Sequence, residues 1–229
     1  MRVISLVPSL TLTLAELGLN KSQLVGRTPW CIHPESESFV QNVPVVGGTK
    51  TPNLNKIRNA QPDLVILDRE EYAKDFYEAL IESGISVYVS KVEHPSEVPE
   101  MLLELGQLLN LAPKAKELAD AINAELATTF ETGPTVLPMI WHDPLMAVSP
   151  TKYSGALLEC CGFNVPDIEP EGNGYPVVTP QAIQLHDVEG LLLSSEPHEF
   201  SKQEGEAISD AVEALGGPRP WTRCIDGEA

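Results

Sequence analysis

Short apolar runs rich in β-branched residues alternate with helix-length segments in both halves of this chain, and that alternation restricts it to few folds. Residues 3–7, 63–67 and 85–89, then 135–141 and 190–194, are strand-length runs too apolar to lie half in water. Helices are expected between them: one continuing to Leu17 and stopped by Gly18, then 54–60 ending ahead of Pro62, and 72–83 stopped by Gly84. Residues 153–161 and 180–186 supply two more. Ser9 or Thr11 is placed to cap the first helix. Residues 24–26, 43–46 and 222–225 read as further short strands. Strands separated by helices make βα units and a mainly parallel sheet.

The middle of the chain breaks this rhythm. Residues 96–131 hold little but helix, interrupted near Pro113. From 112 onward, Ala115, Leu118, Ala119, Ile122, Leu126 and Phe130 form a stripe at spacings of three and four. Twenty helical residues span about 30 Å, the width of a small domain. The expected organisation is an α/β lobe at 1–92, a helical connector with a long backbone helix at 93–133, and a second α/β lobe at 134–229. The chain stops directly after a strand, and a parallel sheet needs helices on both faces, so a closing helix is expected to be missing.

Composition removes several function classes. With 33 acidic against 15 basic residues the formal charge is −18, which repels phosphate backbones and excludes nucleic acid as a partner. No apolar run approaches the roughly 18 residues of a membrane span. Met1 leads straight into the first strand with no room for a signal peptide, so the chain as given is expected in the cytoplasm; a periplasmic or extracellular place requires a removed leader. Four cysteines without a Cys-x-x-Cys pair exclude a disulfide framework. Nucleophile elbow, P-loop, zinc-protease and dinucleotide motifs are all absent, so no catalytic residue is assigned and the chain is expected not to be an enzyme.

What remains is polar or backbone-exposing sequence at the ends of apolar runs, where α/β proteins bind ligands. The segments are Val7-Pro8-Ser9-Leu10-Thr11, Cys31-Ile32-His33-Pro34, Val46-Gly47-Gly48-Thr49-Lys50, Pro62-Asp63-Leu64-Val65-Ile66 and Ser195-Glu196-Pro197. Trp30, Trp141, Tyr153 and Tyr175 stand near strand ends, where aromatic faces could sandwich a large planar ligand; Trp141 equally fits a core position. Gly47 and Gly48 either let backbone amides approach that ligand or form a simple turn. His33, His142 and His198 each lie just beyond a strand and, with Cys31, Asp143 or Glu196, give a rival reading as ligands of a divalent transition metal.

The chain resembles the helical-backbone, metal-chelate class of ABC-transporter solute-binding proteins, closest to its cobalamin-binding branch. The resemblance rests on the run from Arg2 to Ser9, Leu24-Val25-Gly26, Val46-Gly47-Gly48, Asn53-Leu54, Pro62-Asp63-Leu64-Val65 and Gly84-Ile85. Leu157 and Leu158 ahead of Gly162, and Tyr175-Pro176 leading to Pro180, extend it to nearly the whole chain. It implies an α/β fold of two Rossmann-like lobes with mainly parallel sheets, joined by one long α-helix and holding ligand in a cleft between the lobes. It implies a monomeric, non-catalytic receptor with no required cofactor, whose ligand is cobalamin or another metal chelate. It further implies an ABC permease as partner, docked through lobe-surface glutamates for which Glu70, Glu71 and Glu196 are the candidates. A receptor uncoupled from transport is the alternative. Three features depart from the family: Leu12 replaces the usual Glu, the family's last helix beyond Asp226-Gly227 is missing, and so is the leader of exported members.

Overall fold

A computed structural model describes residues 1–34 and 39–227. The chain divides into two compact units. One comprises Met1–Val92 and Val98–Asn123; the other comprises Glu93–Glu97 and the chain from Ala124 onward.

The first unit is built on β1 (Val3–Ser5), β2 (Leu24–Arg27), β3 (Leu64–Asp68) and β4 (Ser86–Ser90), in the order β2-β1-β3-β4 and parallel throughout. Its helices are α1 (Pro8–Glu16), α2 (Leu54–Ala60), α3 (Lys74–Glu82), α4 (Val98–Leu109) and most of α5 (Ala112–Leu126). Alternate strand residues feed opposite layers, as the pleat requires. Val3, Leu64 and Ile66 pack with α1, α4 and α5, while Ile4, Val65 and Leu67 pack with Ile57 of α2 and Leu80 of α3. The sheet is thus covered on both faces, the condition for a parallel sheet to hold.

The second unit repeats the plan with one change. β5 (Val136–His142), β7 (Gly190–Ser194) and β8 (Trp221–Ile225) are parallel, and β6 (Leu145–Ala147) adds an antiparallel edge, giving the order β6-β5-β7-β8. Helices α6 (Tyr153–Cys160), α7 (Pro180–Leu185) and α8 (Lys202–Glu213) accompany it. Leu191 and Leu193 of β7 pack with Leu137, Ile183, Ile208 and Val212, while Leu192 faces Val136 and Val165 on the other side. Two mainly parallel sheets with flanking helices make this an α/β fold, as expected.

Several local expectations need correction. Neither Ser9 nor Thr11 caps α1. Val7 is the extended N-cap residue, Pro8 starts the helix, and the Thr11 hydroxyl is buried against Ser5 Oγ (2.8 Å) and the Val7 carbonyl (2.9 Å). Pro at the first helical position has its φ preset for the helix and no N–H to leave unpaired there. Residues 43–46 make only a bridge between Val45 and Arg27. Helix α5 closes at Leu126 rather than 131, where the β-branched pair Thr128-Thr129 weakens it ahead of Gly133-Pro134. Within α5, Ala115 and Ala119 are buried, Leu118 and Ile122 are half-buried on the same cluster, and Phe130 beyond the helix is 57% exposed. Strand β6 and helix α8 have no counterpart in the sequence reading.

Candidate functional site

In each unit the chemistry-bearing residues gather at the carboxyl ends of the parallel strands. In the first unit the loop after β2 is held from below by a buried polar network. Ser5, Thr11, Thr28 and Cys31 are all fully buried. The Cys31 thiol lies 3.1 Å from Thr28 Oγ1 and donates to the Ser5 carbonyl at 3.8 Å. Cys31 is therefore an anchor of this loop and not a ligand-contacting group. That corrects its place in the candidate set: a thiol with no exposed surface cannot meet a solute. Trp30, beside it, is 56% exposed.

Gly47 and Gly48 form a turn. Gly47 has φ +128°, and a β-carbon there would lie 2.7 Å from backbone atoms of Thr51, Pro52 and Asn53, so only glycine fits. Gly48 is buried and its N–H donates to the Thr51 carbonyl at 3.3 Å. Its amide is thus spent within the turn. The benzo edge of the Trp30 indole lies over it instead: a β-carbon at position 48 would sit 2.9 and 3.1 Å from Trp30 Cζ3 and Cη2.

At the end of β3, Asp68 accepts from the Glu70 N–H at 2.9 Å. Burial pushes its carboxyl above the ordinary carboxylate range, opposed by hydrogen bonds from the Glu70 backbone and Ser90. Glu70 is exposed, and Glu71 stands 4.0 Å from Lys50 Nζ. His33 is half-buried in the same unit.

The second unit holds the denser constellation. Trp141 and His142 end β5, and His198 and Phe200 follow β7. The two histidine rings stack at 5.6 Å with 21° between planes, and His198 lies edge-on to Phe200 at 4.7 Å and to Trp141 at 6.0 Å. Trp141 is 41% exposed, and its Nε1–H donates to the Asp143 carbonyl at 2.9 Å, which fixes the indole plane. Glu204, in the first turn of α8, closes the group. Its Oε1 is 3.0 Å from His198 Nε2 and 3.9 Å from His142 Nδ1, and its Oε2 accepts from the Ser201 N–H and hydroxyl at 2.7 Å each. These Ser201 bonds, and after them the one from His198, hold the Glu204 carboxyl down at about 2.

Of the histidines in the metal reading, His142 and His198 meet in the second unit and His33 lies in the first. Among the described residues no group of three or more His, Cys, Asp and Glu side chains is placed to hold a metal ion. The point toward which His142 and His198 turn their nitrogens is taken by a carboxylate oxygen already bonded to one of them.

Tyr175 stands elsewhere. It lines an open groove of about 620 Å³ with Met146, Ile168, Glu169, Asn173 and Val177, and its ring lies 5.3 Å from Lys152 Nζ. None of the Trp141–His198 group lines that groove. Tyr153 opens α6, 41% exposed, with burial pushing its hydroxyl pKa up. Glu196 is exposed just past β7, its N–H donating to Ser194 Oγ at 3.1 Å.

Glu204 and Phe200 were not among the sequence candidates. The signal for Glu204 was available: Ser201-Lys202-Gln203-Glu204 is a capping box, and it places the carboxylate at the start of α8 beside the end of β7.

The family profile described as "Periplasmic binding protein" matches residues 3–132. No curated protein matches the chain by sequence. Among solved structures, the periplasmic heme binding protein HutB of Vibrio cholerae is similar over 100% of this chain and 91% of its own, with 19% identity and a TM-score of 0.81. The periplasmic vitamin B12 binding protein BtuF of Vibrio cholerae is similar over 96% and 86%, with 17% identity and a TM-score of 0.74. IsdE of S. aureus, solved with heme, is similar over 98% and 89%, with 18% identity and a TM-score of 0.75. At these identities the likeness concerns the fold.

Proposed function

Because the chain belongs to the periplasmic binding protein family, we propose that it is a non-catalytic receptor for a small metal chelate, with cobalamin or a related corrinoid as first candidate and haem as second. The observation that carries this reading is the pair of exposed tryptophans. Trp30, at 56%, and Trp141, at 41%, each stand near the carboxyl end of a strand in a different sheet, each held in place by its own neighbours. Large aromatic surfaces left open at strand ends favour a broad, flat, largely apolar solute. Of its fold relatives, BtuF of Vibrio cholerae is a vitamin B12 binding protein and HutB a heme binding protein. That supports the chelate class and leaves the choice within it to binding data.

Titration with cyanocobalamin and with haemin, followed by tryptophan fluorescence, tests the reading. Trp30→Ala and Trp141→Ala should each weaken binding by about 1–3 kcal/mol through lost stacking and apolar contact. Absence of any response to either compound at high micromolar concentration would sink it. The proposed partner is an ABC permease met by Glu70, Glu71 and Glu196, which stand at the strand ends of the two units. Charge reversal of all three should abolish permease-dependent uptake without changing chelate affinity. Recovery of the native protein from the cell envelope supports the transport role; recovery from the cytoplasm supports a receptor uncoupled from transport.

A further inference from the structure

The glycine at position 48 has no backbone reason to be there. Its φ is outside the left-handed region that Gly47 occupies, so alanine would fit the local backbone. The space around it is what excludes a side chain. A β-carbon would come within 2.9 Å of Trp30 Cζ3, 3.1 Å of Trp30 Cη2 and 3.0 Å of Thr51 Oγ1. No backbone atom is that close, whereas Gly47 is enclosed by backbone on every near side. Gly48 is buried, and what covers it includes an indole that is itself more than half exposed.

We propose that Gly48 is a positioning residue for Trp30: the missing β-carbon is a seat that sets the pose of the indole, and with it the affinity of the site for a flat chelate. This rests on the chelate reading above. The loop that carries Trp30 is fixed by the buried Thr28–Cys31 pair, so the main chain on one side of the indole does not move. The turn that carries Gly48 is fixed by the Val46–Asn53 and Gly48–Thr51 backbone bonds. Between two anchored segments the soft elements are the far end of the indole and the Thr51 hydroxyl, and a methyl group at position 48 presses on the indole at two of its three nearest contacts. Most binding-site glycines admit a ligand close to backbone; this one admits a neighbouring side chain.

The test has an optical arm and a binding arm. The chain holds three tryptophans, so a Trp141→Phe/Trp221→Phe variant reports Trp30 alone. In that background Gly48→Ala should shift emission to the red and increase acrylamide quenching as the ring leaves its seat, with the far-ultraviolet spectrum unchanged. In the otherwise native chain Gly48→Ala should weaken haemin or cyanocobalamin binding by about two- to tenfold, the range for losing one aromatic contact geometry. A Gly48→Ala/Thr51→Ala variant removes the crowding hydroxyl and leaves Trp30 as the group displaced, which covers the case in which the single variant fails to fold. Unchanged Trp30 emission and quenching overturn the seat. Unchanged affinity, where Trp30→Ala lowers it, overturns the positioning role while the chelate reading stands. Wild-type protein that binds neither probe overturns the chelate reading and the positioning role together, and the emission then decides the seat alone.

Discussion

A β-carbon added to Gly106 on α4 would collide with the methyl group of Ala115 on α5, so the two helices of the first unit meet there with only that methyl between them. Small residues on both sides let the backbones approach, and the leucines beside them, Leu102, Leu105 and Leu109, fill the adjoining core. Gly106→Ala sets two effects against each other. Helix propensity favours alanine by about 1 kcal/mol, while overpacking a tight contact costs about 1–3 kcal/mol. A net loss of up to about 2 kcal/mol is expected, and a larger one for Gly106→Val. Urea denaturation checks this; a midpoint equal to or above that of the parent protein would show that the contact has slack.

The stripe on α5 divides at its end. Ala119 is 2% exposed, so Ala119→Asp buries an unpaired charge and should lower stability by about 3 kcal/mol or more. Phe130 is 57% exposed beyond the helix, and Phe130→Ser should stay within about 0.5 kcal/mol. Equal losses in the two variants would mean that the helix buries a longer face than described.

Glu204 gives the second unit a pH dependence of definite sign. Its carboxyl is held at about 2, below the ordinary 4.5, chiefly by Ser201 and then by His198. A carboxylate lowered by folding contributes stability that is full above the unfolded value and fades as pH falls through the folded one. The contribution should therefore be intact above 4.5 and lost between there and about 2, and Glu204→Gln should remove this dependence. An NMR titration of the side-chain carboxyl that gives the ordinary 4.5 would contradict the arrangement.

Thiol reactivity should follow burial. Cys161 and Cys224 are exposed and Cys31 is buried. Cys160 is half-buried, and burial, followed by the charges of Cys161 and Glu159, pushes its thiol up. Native protein treated with a thiol reagent should modify Cys161 and Cys224 first, Cys160 slowly, and Cys31 only in denaturant. Peptide mapping of the modified sites reads the order, and early modification of Cys31 would refute its role as a loop anchor.

The alternation of apolar runs with helices carried the α/β architecture, because buried parallel strands are apolar on both faces and stand out locally. Strand β6 was illegible: three residues after Pro144 carry no period, and only pairing with β5 defines them. Helix α8 was missed because its buried face is made of Gly205, Ile208, Ser209 and Val212, too polar to register as a stripe. At the site, Trp30 and Trp141 were legible as aromatics at strand ends. The burial of Cys31 and Gly48 was not, since it depends on Ser5 and Trp30 arriving from other segments. Likewise His142 and His198 meet because β5 and β7 are neighbours in the sheet, a fact of topology that no local pattern records.

The route of the chain has a consequence for its synthesis. Residues 93–97 belong to the second unit, Glu93 being held by Lys152 at 3.2 Å, yet the chain then returns to lay α4 and α5 on the first. A nascent chain that has emerged only as far as Val92 has its whole first sheet but lacks Met101, Leu102, Leu105, Leu109, Ala115 and Ala119, which cover one face of it. The part of that face not covered by α1 stays open to the ribosome surface and to chaperones until α5 has cleared the exit tunnel. By then the segment at 93–97 has left the tunnel too, while its partner Lys152 is still behind it in the chain and has not emerged.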